Sequence, residues 1–294
     1  MEARAGIEPT FTDLQSVASP FCHRAGTPGG YRLPKAAGQP ALGLSQHHLS
    51  SLVLPSAAGG AYTAPGSVDE AAGGMDYAEA RRRMVDGQVK PNRVTDPRIL
   101  RAMQEVPREL FVPPSLKVRA LADEDLALGG GRVLLQPMVI AKLLQLAEPS
   151  PADRVLLLAS GTGYGAALLA HMGCQVVAVE DDKALLDIAG PALAASELPA
   201  GAIRQEQGDP AAGFPEAAPY DLILIEGAVP SVPPALVEQL NEGGRLVAIR
   251  RAPGEVGTAI LGRRVAGHLS IAQAFDMRGT LIPAFAPKTG FQFA

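Results

Sequence analysis

Between Arg154 and Glu180 the chain reads RVLLLASGTGYGAALLAHMGCQVVAVE, and no other stretch restricts the fold so tightly. Val155–Leu158 is a short apolar run suited to a buried strand, and Ala159–Gly163 is a glycine turn. Tyr164–Met172 follows with helical character, and Gln175–Val179 is a second buried strand that runs into an acid, Glu180. A turn of this kind lets a helix N-terminus approach a ligand with no Cβ in the way. An acid about 20 residues beyond the glycines can accept hydrogen bonds from a ribose. Strand, glycine turn, helix, strand and acid together make the nucleoside-binding half of a doubly wound α/β domain.

The same stretch holds about 25 residues without Asp, Glu, Lys or Arg, enough in length for a membrane span. Its glycines cluster, however, and its β-branched residues fall in two short blocks. That pattern belongs to separate elements joined by a turn, so no membrane association is expected.

The flanking sequence alternates helices and strands. Tyr77–Val89 has helical spacing, and Asp96-Pro97 is a helix start, with Asp as N-cap and Pro at the first helical position. Ile99, Leu100, Met103 and Val106 then share a face. Pro107 ends that helix, and Glu109–Pro114 is expected to be extended. Leu126–Leu135 contains Gly129–Gly131, a loop or bulge, and Met138–Leu146 is an apolar helix entered through Pro137.

After Glu180, Asp182–Ala195 reads as a helix broken near Gly190-Pro191. Ala202–Glu206, Tyr220–Ile225 and Arg245–Ile249 read as strands, and Pro233–Leu240 as a helix closed by Gly243-Gly244. Ala259–Val265 and Ser270–Phe275 form a β hairpin. The expected fold class is therefore α/β: a Rossmann-like, mostly parallel sheet with an antiparallel C-terminal edge.

Composition excludes several classes of function. The net charge is −4, and the nearest basic cluster, Arg81–Arg83, lies on a predicted helix as a solvated face. No nucleic-acid partner is expected. Cys22 and Cys174 cannot build a disulfide framework, which points to a reducing, cytoplasmic setting. The five histidines show no metal-ligand spacing, so no metal is expected.

Residues 1–74 differ from the rest. They are rich in Gly, Pro, Ser and Ala and lack sustained periodicity. AGIEPTFTDLQSVASPFCHRAG resembles the peptide obtained when a transfer-RNA gene is translated. The expectation is a disordered or spurious extension over 1–74, with Met75 as the start and one domain over 75–294.

Met84–Pro113, MVDGQVKPNRVTDPRILRAMQEVPRELFVP, resembles the N-terminal region of the protein-L-isoaspartate O-methyltransferases. Asp123, Leu126, Gly129, Gly131, Gln136-Pro137, the glycine turn, Glu180, Gly208-Asp209, Pro219–Asp221 and Glu238–Val247 continue the match in order. The resemblance spans nearly all of Met75 to Ile249. It implies S-adenosyl-L-methionine as cofactor and isoaspartate-bearing proteins or peptides as substrates, with a monomer favoured. By resemblance, Ser160, Gly161, Thr162, Gly163 and Tyr164 wrap the methionine end, Glu180 holds the ribose, and Asp209 lies near the adenine. Asp209 also reads as a plain turn acid, since Gly-Asp is a common turn pair. Gly131, Arg132, Leu135 and Gln136 fall in the substrate loop, and no catalytic residue is singled out.

The departures from the family pattern are specific. Where the family usually reads GQTIS, this chain has Gly131–Leu135, so its serine position is Leu135. The acid before the glycine turn is replaced by Leu157, and the first glycine by Ala159. Glu226-Gly227-Ala228 stands where Thr-Ala-Ala is usual. Arg132 reads either as a clamp for a substrate carboxylate or as a solvated loop arginine. The expected activity is methyl esterification of L-isoaspartyl residues, a side branch of protein repair. The alternatives are a silent, partner-binding relative and a methyltransferase for another acceptor.

Overall fold

The computed structural model describes residues 75–252 and 254–286. Expectations for 1–74, including Cys22 and the position of the start, lie outside the described residues.

The strands are β1 (Leu126–Gly129), β2 (Arg132–Leu134), β3 (Arg154–Leu158), β4 (Gln175–Glu180), β5 (Ile203–Gln207), β6 (Tyr220–Val229), β7 (Leu240–Arg250), β8 (Thr258–Val265) and β9 (His268–Asp276). The helices are α1 (Tyr77–Met84), α2 (Pro97–Glu105), α3 (Pro137–Ala147), α4 (Tyr164–His171), α5 (Lys183–Ala194) and α6 (Pro234–Glu238). Seven strands form one sheet in the order β5-β4-β3-β6-β7-β8-β9, while β1 and β2 pair apart from it. β5 to β7 run parallel across the sheet, and β8 and β9 close it antiparallel. This is the doubly wound arrangement that the alternation of elements predicts. The strand order reverses between β3 and β6, so the crevice beyond their carboxyl ends is where such sheets bind ligands.

Residues of β3 alternate between two apolar clusters, as a period of two requires. Val155 and Leu157 pack with α3 and α4, and Leu156 and Leu158 pack with Leu236 of α6. Leu157 lies opposite Ala178 on one neighbour and Leu224 on the other. Both faces of the parallel strands are covered, which explains their continuous apolar runs.

Caps set the helix starts. Asp76 accepts from the Glu79 amide, Asp96 from that of Arg98 and Asp182 from that of Ala184. The first predicted helix is helical throughout, but after α1 it widens to a π-turn over Val85–Val89.

Four local expectations are corrected. Glu109–Pro114 is not extended: the chain makes 3₁₀ turns at Arg108–Leu110 and Pro114–Arg119, where prolines fix φ in the turn range. α5 does not break at Gly190-Pro191. Pro191 and Asp187 are exposed, so the carbonyl that loses its partner faces solvent. Gly243-Gly244 does not close α6 but lies inside β7, where the register against β6 shifts. β6 runs on past Ile225 to Val229, with an irregular register between Leu224 and Ala228 that carries Glu226 and Gly227. The Gly129–Gly131 segment is a hairpin turn with a bulge, all three glycines having positive φ. Among the described residues no helix is long and apolar enough to cross a membrane.

Candidate functional site

The glycine turn needs left-handed backbone at Ala159 (φ +56°), Gly161 (φ +56°) and Gly163 (φ +89°). A Cβ on Gly163 would stand 3.3 Å from the Ala189 Cβ, so this glycine also lets α4 approach α5 closely. The Ser160 amide donates to Val179 O at 3.1 Å and that of Gly163 to Ser160 O at 2.9 Å. The first bond ties the turn to the end of β4, and the second closes the turn on itself.

Glu180 ends β4, is fully buried and binds the turn directly. Its Oε2 accepts from the Gly161 amide at 2.6 Å. Its Oε1 accepts from the amides of Asp181 and Asp182, both at 3.1 Å, and from Arg132 Nη1 at 2.6 Å. Burial pushes the Glu180 carboxyl upward, and the Arg132 guanidinium opposes that shift.

Arg132 is not a solvated loop arginine. It is buried at 6% exposure. Its Nη2 donates to Ala159 O at 2.6 Å, and Nη1 also lies 3.3 Å from Asp181 Oδ1. The β1–β2 hairpin therefore inserts its one charged side chain between the glycine turn and the strand-end acid.

Thr162 Oγ1 donates to Phe111 O at 2.6 Å, which fastens the turn to the Arg108–Phe111 segment. The Tyr164 ring meets Phe111 edge-on with centroids 5.5 Å apart. Burial pushes the Tyr164 hydroxyl up to about 12. Ser160 Oγ and Tyr164 OH are buried without a hydrogen-bond partner. The Gly208 amide donates to Glu180 O at 3.0 Å, which sets Asp209 beside the end of β4. Asp209 is exposed and caps the Ala211 amide, as a turn acid does.

In the substrate loop Leu135 is buried in the core, with its carbonyl accepting from Arg108 Nη2 at 2.6 Å. The Gln136 amide donates to Asp125 Oδ1 at 2.8 Å. Gly131 is exposed, and a Cβ there would stand 3.1 Å from Pro283 Cγ. A cavity of about 440 Å³ opens beside Gln136, lined by Asp125, Lys142, Met277 and Arg278 among others. No residue of the glycine turn lines it.

Two charged residues of the site were given no role in the sequence reading, Glu226 being noted there only as a departure from the family pattern. Arg108 is fully buried and stacks on Tyr164, its guanidinium carbon 4.8 Å from the ring centroid. Its Nε donates to Ala120 O at 2.7 Å, and burial pulls its pKa down. Arg108 lay within the matched VPRELF run and carried no separate signal. Glu226 comes from the irregular end of β6, and burial pushes its carboxyl up to about 8, against Arg132 and Arg108. Its signal was its place: a charged residue at the carboxyl end of a buried strand next to the switch point.

The residues fit a nucleoside-linked amino acid. Ser160 Oγ is a buried polar atom without a partner, the turn is free of side chains at Gly161 and Gly163, and an acid stands at the strand end. Among the described residues no group of three or more His, Cys, Asp or Glu could hold a metal.

Comparison with known proteins gives the family. The family model described as Protein-L-isoaspartate(D-aspartate) O-methyltransferase matches residues 79–255. A protein-L-isoaspartate O-methyltransferase of Methanoregula boonei is 43% identical over 170 residues, covering 58% of this chain and 77% of the relative. One from Methylorubrum extorquens is 44% identical over 179 residues, covering 61% and 77%. A solved protein-L-isoaspartate O-methyltransferase is 25% identical with a TM-score of 0.60, and the match covers 70% of this chain and 65% of that one. A Plasmodium falciparum structure assigned to the same class, in complex with S-adenosyl-L-homocysteine, shares the fold at 16% identity and a TM-score of 0.60.

Proposed function

The chain belongs to the protein-L-isoaspartate O-methyltransferase family, and from that premise we infer its activity. It is an S-adenosylmethionine-dependent carboxyl methyltransferase that esterifies L-isoaspartyl residues in damaged proteins. The single observation that carries this reading is the family match over residues 79–255, which contains the glycine turn and Glu180. No relative reported above is described as a silent or partner-binding protein.

When bound, S-adenosylmethionine supplies a methyl group on a sulfonium, an electrophile with a good leaving group. In this reading Ser160–Tyr164 hold its methionine end at the N-terminus of α4, where helix amides favour a carboxylate. Glu180 takes the ribose hydroxyls, and Asp209 lies near the adenine. The substrate carboxylate is already ionised at neutral pH, so the chain need not supply a strong base. Its task is to orient that carboxylate and exclude water. Gly131, Arg132, Leu135 and Gln136 form the loop assigned to that task. Arg108 braces it from beneath by holding the carbonyls of Leu135 and Ala120. With leucine at position 135 no side-chain hydroxyl meets the substrate there, and losing such a donor costs roughly 10²–10³-fold in rate.

Residues 75–294 are assigned as the methyltransferase domain, a reading supported by the family match lying inside them. A monomer in a reducing, cytoplasmic setting, with no nucleic-acid or membrane partner, is the accompanying proposal. It is supported by the net charge of −4 and by Cys174, whose buried thiol is pushed up to about 12 and so stays unreactive.

The test is transfer of labelled methyl groups to an isoaspartyl peptide and to its aspartyl twin. A base-labile methyl ester on the isoaspartyl peptide alone is expected. Labelling of other carboxylates, with the isoaspartyl peptide untouched, would overturn the substrate assignment.

A further inference from the structure

Glu180 is fully buried with Arg132 against it, so its carboxylate is closed to a ribose. An ionised carboxylate offers about four acceptor positions. Here Oε1 takes the amides of Asp181 and Asp182 together with Arg132 Nη1, while Oε2 takes the Gly161 amide alone and keeps a position for a ribose hydroxyl once its cover is moved. The three amides are fixed by the glycine turn and by the start of α5. Arg132 is the one donor that can leave without unmaking the site.

Its carrier stands apart from the main sheet. Among the described residues the β1–β2 hairpin pairs with itself alone and contributes no strand to the seven-stranded sheet. It lies over the glycine turn: Leu128 Cδ1 is 3.9 Å from the place of a Gly161 Cβ, and Asp182 Oδ2 is 3.2 Å from that of a Gly130 Cβ. Arg132 latches it through Glu180 and Ala159 O. Shifting the hairpin tip, with Leu126 and Leu134 kept in the core, therefore breaks two ion pairs, to Glu180 and Asp181, and one hydrogen bond at the site but no ladder of the main sheet. Leu126–Leu134 carries no charge besides Arg132, so the freed guanidinium is the hairpin's only cation.

We propose that Arg132 is a displaceable occupant of the ribose position, so that cofactor binding lifts the hairpin and releases Arg132 towards the substrate carboxylate. The proposal rests on the cofactor reading above. It makes binding ordered, cofactor before substrate, and it makes Arg132 a positioning residue that holds the free enzyme closed. A closed population lowers apparent cofactor affinity by the fraction that is open, so a site open about 1–10% of the time binds about 10–100-fold more weakly than its open form. Removing the latch returns that factor.

The experiment is a calorimetric titration of S-adenosylhomocysteine into the full chain, wild type and Arg132→Met, with hydrogen exchange read over Leu126–Leu134. Tightening of about 10-fold or more in R132M is expected, together with faster exchange of the hairpin in the wild type once ligand is added. An analogue lacking both ribose hydroxyls discriminates further. It does not compete for Glu180, so R132M should tighten it far less. Unchanged or weaker S-adenosylhomocysteine binding by folded R132M overturns the latch. Absence of binding by both proteins up to millimolar ligand overturns the cofactor reading itself. Should R132M fail to fold, Leu128→Ala loosens the hairpin and keeps the ion pair. It is expected to tighten binding by about 2–3-fold, and unchanged affinity there also overturns the proposal.

Discussion

Glu226 sets its carboxylate in the notch left by the missing side chain of Gly165: a Cβ on Gly165 would stand 1.6 Å from Glu226 Oε1. The irregular register at the end of β6 carries the acid, and the first turn of α4 receives it. Gly165 needs no left-handed backbone, so the absence of Cβ at this position serves the contact and not the conformation.

A double-mutant cycle tests that contact. Gly→Ala inside a helix ordinarily stabilises by about 0.5–1 kcal/mol. With Glu226 present the new methyl must evict a carboxyl group, so Gly165→Ala is expected to destabilise by about 1–2 kcal/mol, as overpacking does. On a Glu226→Ala background the same change should be neutral or favourable. Urea unfolding of the four proteins gives the coupling, expected at about 1–3 kcal/mol, and additivity within about 0.5 kcal/mol would refute the contact.

The same acid makes stability depend on pH. Its carboxyl titrates near 4.5 in the unfolded chain and is pushed up to about 8 in the fold. Between those values the native state holds a proton that the unfolded state has lost, so this group's contribution falls as pH rises from about 4.5 to about 8. Each unit of difference is worth at most about 1.4 kcal/mol, and partial exposure of Glu226 reduces it. Glu226→Gln carries no charge in either state. Its melting temperature should gain on the wild type steadily between about pH 5 and about pH 8. Parallel curves for the two proteins would show that Glu226 is not held protonated.

The sequence made the framework of the site legible because that framework is local. Two β-branched blocks around a glycine cluster define β3, α4 and β4, and spacing alone picks out Glu180. What escaped is set by tertiary contact. Arg132 and Glu180 lie 48 residues apart, and nothing near Arg132 signals that the hairpin folds back over the turn. Glu226 was visible only as a departure from a family pattern, because its reach depends on the register shift between Leu224 and Ala228. Pro191 misled because propensity cannot say that its unpaired carbonyl faces water.

Thr162, assigned with its neighbours to the methionine end, donates its hydroxyl to Phe111 O. Removing that bond leaves a buried carbonyl unpaired, at a cost of about 1–3 kcal/mol. Thr162→Val keeps the shape and loses the bond, so it should show that cost in urea unfolding. Thr162→Ser keeps the bond and loses one methyl, worth about 0.8 kcal/mol. If valine proves as stable as threonine, the hydroxyl does not anchor the turn.

Leu157 occupies the position where related chains carry an acid, and restoring the acid is the obvious route to a stronger cofactor site. The packing predicts failure. Leu157 is fully buried between Ala178 and Leu224 in the apolar cluster shared with α3 and α4. Glu180, the nearby acid that this fold does tolerate, has three backbone amides and a guanidinium. No ion pair or polar side-chain contact involves the immediate sheet neighbours of Leu157. A carboxylate there is desolvated without partners, so Leu157→Glu should cost about 3–5 kcal/mol, with its own titration driven upward. Leu157→Met, close in volume and apolar, should cost less than about 1.5 kcal/mol. Urea unfolding ranks the two, and a titration with S-adenosylhomocysteine should find no gain in affinity for L157E. Near-native stability of L157E combined with tighter binding would mean that the site retains partners for an acid at this position.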